Sequence, residues 1–168
     1  MMNKALSELK IKAKRLLKMI KAGDEHANQR VKKTNPNLSK DTTEIKLNHC
    51  QHTIARELGF PDWYSLQSLL TGRSDKVGYG SLFYTRNQTA SLNKWFTNYD
   101  EAKEFLDSNQ LLYPYKNQFV VVEKSTFESV LGLPKGLISK VEGNLVASYP
   151  SKEWDEIAYF CVFGHFPI

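Results

Sequence analysis

The stretch Leu47–Leu70, LNHCQHTIARELGFPDWYSLQSLL, constrains the fold more than any other part of this chain. It reads as a helix, a sharp turn at Gly59-Phe60-Pro61, and a second helix closed by Gly72. Leu47, Cys50, Ile54, Ala55 and Leu58 recur at three- and four-residue steps, which lines them up on one stripe. Asp41, with Glu44 three residues on, offers a capping-box start. Gly59 reverses the chain at the far end and Phe60 plugs the turn. Pro61 opens the next helix, where its missing N–H costs nothing. Trp63, Leu66, Leu69 and Leu70 give that helix a buried face. A helix–turn–helix corner invites a DNA-recognition reading. The second helix, however, carries no Arg or Lys to reach base edges, which lowers that reading.

Two apolar stripes need a third partner, and Lys4–Ala22 supplies one. Leu6, Leu9, Ala13, Leu16, Leu17 and Ile20 form its stripe, and Gly23 supplies a stop. Lys10, Lys12, Lys14, Arg15, Lys18 and Lys21 occupy the rest of the circumference. Such a face can neutralise phosphates, lie on an anionic membrane, or serve as an ordinary solvated surface. Asp24–Lys40 lacks periodicity and contains Pro36, so the expectation is a long basic loop carrying Arg30, Lys32, Lys33 and Lys40. His49, His52 and Arg56 fall on the helix face opposite the Cys50 stripe. Two imidazoles at that spacing can share a metal or join Arg56 on an anion. No nearby carboxylate, and no further His or Cys cluster, completes a coordination set, so no metal or cofactor is assigned. The candidate polyanion-binding set is Lys10, Lys14, Arg15, Lys18, Lys21, Arg30, Lys32, Lys33, His49, His52 and Arg56.

Charge distribution supports placing that set in the N-terminal part. Residues 1–74 hold 14 Lys and Arg against 7 Asp and Glu, a net of +7, whereas residues 75–168 hold 9 against 11, a net of −2. The two parts can also attract each other. Cys50 and Cys161 show no framework of spacings, which favours reduced thiols and a reducing compartment. Lys and Arg interrupt every early apolar run, and no stretch of roughly 20 apolar residues exists. The expectation is a cytoplasmic chain with no membrane partner.

LKIKAKRLLK at 9–18, followed by HCQHTIARELGFPDWYSL at 49–66, resembles the small helical module at the N-terminus of bacterial glyoxalase-related proteins. The matching positions are Leu9, Lys10, Ala13, Lys14, Leu16, Gln51, Ala55, Gly59, Phe60, Trp63 and Leu66. They are mostly core and turn residues, so the resemblance implies a fold rather than an activity. This chain departs from the module by the inserted basic stretch, and no glyoxalase-like metal ligands follow it.

After the glycine-rich connection Gly72–Gly80 the hydrophobic period changes to two. Ser81–Thr85, the run at Trp95-Phe96, Gln118–Glu123, Asn144–Tyr149 and Ile157–Phe163 are predicted strands. Asn98–Glu101 starts a helix buried through Ala102, Phe105 and Leu106. Ser125 and Glu128 form a capping box for another, stopped by Gly132 and Pro134. The predicted architecture is α+β: a basic three-helix module at 1–72 with a long loop at 24–40, then an α+β domain at 80–168 with a mainly antiparallel sheet. The segment 100–133 resembles uncharacterised bacterial proteins, some linked with mobile elements, that share a PYKNQF-then-LGL pattern. Tyr113, Tyr115, Lys116 and Asn117 are its candidate partner-binding residues, or else simply turn the chain.

No Ser-His-Asp or Cys-His arrangement can be placed, and VGYGS lacks the Lys and helix of a phosphate loop, so the reading leans away from an enzyme. Two functions compete. One is a small bacterial binding or regulatory protein touching nucleic acid non-specifically through its basic helices. The other is a protein–protein module of immunity-like, antitoxin-like or regulatory type, resting on the aromatic wealth of residues 95–159. Oligomeric state is not legible.

Overall fold

The computed structural model describes residues 3–39, 41–73, 78–84 and 93–166. Lys40, residues 74–77 of the glycine-rich connection, Thr85 and the Pro167-Ile168 tail lie outside them. The described residues form an α+β fold of seven α-helices and one three-stranded antiparallel sheet.

Helix α1 (Lys4–Lys21) ends as expected. Gly23 takes φ 87°, its N–H donates to Ile20 O, and Asp24 N–H donates to Met19 O. Asp24 then caps a second helix at once, its Oδ1 accepting from Ala27 N–H at 2.8 Å. The basic stretch after Gly23 is therefore not a loop over 24–40 but helix α2 (Glu25–Thr34), which buries Ala27, Asn28 and Val31. A stripe this short has too few apolar residues to show a period. Asp41 caps only a 3-10 turn at Thr42–Glu44, and α3 starts later, at Leu47–Glu57. The corner behaves as its sequence requires: Gly59 has φ 78°, and Phe60 N–H donates to Ala55 O. Asp62 rather than Pro61 sets the start of α4 (Trp63–Leu70), accepting from Ser65 N–H at 2.7 Å. Leu66, Leu69 and Leu70 are buried, while Trp63 is only half-buried.

The sheet has the order β1-β3-β2, with β1 at Lys94–Phe96, β2 at Gln110–Tyr115 and β3 at Gln118–Glu123. Helix α5 (Tyr99–Phe105) lies between β1 and β2, capped by Asn98. Helix α6 (Lys124–Leu131) follows β3; it starts ahead of the Ser125 box, with Glu123 at its cap position. Alternation sends Leu111, Tyr113, Val120 and Val122 into the main core, and Leu112 and Val121 into a small second core with Ala102. Both sheet faces are thus covered.

Three predicted strands are corrected. Residues 81–84 form successive turns that bury the adjacent Leu82 and Phe83 together, which an alternating strand cannot do. Asn144–Tyr149 makes one parallel bridge, Leu112 to Asn144, and then turns, with Asn144 Oδ1 accepting from Val146 and Ala147 N–H. Ile157–Phe163 lies inside helix α7 (Lys152–His165), capped by Ser151. The buried set Trp154, Ile157, Ala158, Cys161 and Val162 has helical spacing that the aromatic and β-branched composition hides.

Helix α7 runs parallel to α1. Asp155 and Glu156 meet Lys4 at one end, and Phe163 and Phe166 meet Lys12 at the other. The main core continues from Leu9 and Ile54 through Phe83 and Tyr113 to Ile157, spanning the segments before and after the glycine-rich connection. No helix among the described residues is long and apolar enough to cross a membrane.

Candidate polyanion interface

The core contacts of α1 decide which of its cations face solvent. Lys10, Lys14, Arg15, Lys18 and Lys21 are all exposed. Lys12 is not part of that face: it is 5% exposed, donates to Phe166 O at 2.6 Å, and lies 3.4 Å from Glu8 and 4.9 Å from the Phe163 ring centre. Burial holds its ammonium below the usual lysine range, with Glu8 opposing that shift. Glu8 is the helix's only acid, and Lys12 occupies it. Lys4 pairs with Glu156 at 3.1 Å. The five exposed cations therefore have no ion pair among the described residues.

A second cationic region lies between α2 and α3, where a groove of about 550 Å³ is lined by His26, Gln29, Arg30, Lys33, Thr34, Arg56 and Glu57. Arg30 is engaged along one edge: its Nε and Nη2 donate to the two Glu57 oxygens at 2.6 and 2.7 Å, and its guanidinium sits 5.2 Å from the Phe166 ring centre. Lys33 is exposed, and Lys32 is half-buried on the same helix. Arg56 Nε donates to His52 Nε2 at 3.3 Å, so these two side chains do share a face. His49 does different work. Its Nδ1 accepts from Lys46 N–H at 3.1 Å and so closes the start of α3.

The expected partner-binding loop is a two-residue hairpin turn. Lys116 takes φ 50° between paired Tyr115 and Gln118, and its N–H donates to Gly80 O at 2.7 Å. Tyr113 is buried beside Phe127, at 5.6 Å between ring centres, which removes it from any surface. Tyr115 is half-buried; Lys116 and Asn117 are exposed. Trp95 and Tyr115 belong to the aromatic wealth noted in the sequence, but the sequence does not show that they meet each other and Tyr84. Trp95 and Tyr84 lie 5.5 and 4.9 Å from Tyr115, and Trp95 is 43% exposed.

Both cysteines are free thiols buried in the core. Burial pushes the Cys50 thiol up to about 11, with Arg30 opposing weakly, and pushes Cys161 higher still. Among the described residues no three His, Cys, Asp or Glu side chains converge as a metal site. Comparisons with protein families, with curated proteins and with solved structures give no match to this chain.

Proposed function

We propose that this chain is a binding or regulatory protein that contacts the phosphate backbone of nucleic acid, without reading sequence, through the solvent face of α1. The observation that carries the reading is the group of five exposed cations on one helix, with no acid left to neutralise them. Cations so arranged displace counterions from a polyanion, and that release drives association. Helix α4 offers Tyr64, Ser65 and Gln67 but no Arg or Lys, which agrees with backbone contact alone. Fluorescence anisotropy on several labelled duplexes of unrelated sequence tests this. Affinity should be the same for all of them and should fall on Lys14→Gln plus Lys18→Gln. Strong preference for one sequence, or affinity untouched by the double change, refutes it.

A second reading rests on the Tyr84–Trp95–Tyr115 group, because a ring exposed as Trp95 is can anchor a protein partner. Purification of the chain from its native host tests it. A partner lost on Trp95→Ala, and kept by the lysine variant, favours this reading over the first.

A further inference from the structure

We propose that the groove between α2 and α3 is a site for one phosphomonoester group, independent of the α1 face. Arg30, Lys33 and Arg56 contribute three positive charges to its lining and Glu57 one negative, so the ionic groups sum to +2. A phosphomonoester carries about −1.5 to −2 at neutral pH, so the charges match. The cations are also held in place. Glu57 grips the Nε–Nη2 edge of Arg30 while Phe166 backs its plane, leaving the Nη1 edge unused by that pair. Arg56 is steadied through Nε by His52, which leaves both of its Nη groups to donate. Fixing donors before binding lowers the entropy lost on binding. Lys33, one helix across, adds a point charge. A volume of about 550 Å³ exceeds what a phosphate alone needs, so the ester substituent fits beside it. Two sources share this chemistry: a small phosphorylated metabolite and the 5′-phosphate end of a nucleic-acid strand.

The test is calorimetric titration with AMP and with adenosine, and with an oligonucleotide carrying either a 5′-phosphate or a 5′-hydroxyl. It uses the full chain, Lys33→Gln, Arg56→Gln and the α1 variant Lys14→Gln/Lys18→Gln. Lys33 and Arg56 are exposed, and unchanged melting of their variants confirms that the fold is intact. AMP should bind saturably and adenosine should not. Each groove variant should weaken AMP about tenfold, or ~1.4 kcal/mol, while the α1 variant leaves it unchanged. A gain for the 5′-phosphorylated oligonucleotide over its 5′-hydroxyl form that Arg56→Gln removes assigns the strand end as source. No such gain assigns the small metabolite. Unsaturable AMP binding, or equal weakening by the α1 variant, overturns the site even if α1 still binds duplexes.

Discussion

Helix α1 begins without a cap of its own, and Asp155 on α7 provides one from 150 residues away. Asn3 makes no side-chain cap bond, while Asp155 Oδ2 accepts from Lys4 N–H at 2.7 Å and Oδ1 accepts from Ala5 N–H at 3.3 Å. Asp155→Ala leaves two helix-end donors unmet, and Ala5 is wholly buried. Loss of a cap costs about 1 kcal/mol, and a buried donor left unsatisfied costs about 1–3 kcal/mol. The expected loss is therefore about 3 kcal/mol. The carboxylate is itself strained: burial pushes its pKa above the usual range, against the pull of the Lys4 and Ala5 N–H groups. Asp155→Asn keeps one oxygen to accept but sets an NH2 against the other N–H, so it should cost about 1–2 kcal/mol, less than Asp155→Ala. Because the folded pKa is raised, the wild type gains stability as pH falls through that value toward 3.8, below which folded and unfolded states are both protonated. Asp155→Asn should lack this gain. Urea unfolding at pH 7 and at pH 4.5 measures both effects. A loss under about 0.5 kcal/mol for Asp155→Ala would refute the capping role. Equal losses for Ala and Asn would show that a single acceptor does not hold the helix end.

Other expectations concern the core and the second tether of α7. Trp154 is 1% exposed against Phe83 and Tyr149, so Trp154→Ala should cost about 3–5 kcal/mol, whereas half-buried Trp63→Ala should cost about half that; denaturant midpoints rank them. Gly80 has φ 53°, and a Cβ there would meet Leu58 O and lie 2.7 Å from the Phe60 ring, so Gly80→Ala should cost about 2–4 kcal/mol in the same assay. His165 Nε2 lies 3.1 Å from both Ser81 O and Leu82 O, and burial lowers its pKa against those two bonds. Protons then bind the unfolded chain first, so wild-type stability should fall as pH drops below 6.5, relative to His165→Gln. A flat difference between the two from pH 8 to 5 would contradict this.

Local signals predicted the elements whose stops and stripes lie within one segment. The α3–α4 corner, the ends at Gly23, Gly72 and Gly132, and strand β3 all came from residues that act on their own neighbours. Helix α7 was hidden because Tyr159, Phe160, Val162 and Phe163 favour a strand locally, and the helix forms through the face it packs on α1. Strand β2 was hidden by Pro114, which is tolerated because β2 lies at a sheet edge. The same division holds at the site. The wheel of α1 correctly exposes Lys10, Lys14, Lys18 and Lys21. It could not reveal that Lys12 is buried by Phe163 and Phe166, nor that Arg30 is taken by Glu57, since those partners are distant in sequence.

The salt dependence of duplex binding tests the α1 reading most directly. Each phosphate contact contributes about −0.9 to the slope of log K against log salt. With up to five exposed cations on α1, the wild-type slope should approach about −4.5. Lys10→Gln, Lys14→Gln and Lys18→Gln together should flatten it by about 2.7. An unchanged slope in that triple variant, or wild-type binding indifferent to salt, would contradict the proposal that α1 is the nucleic-acid face.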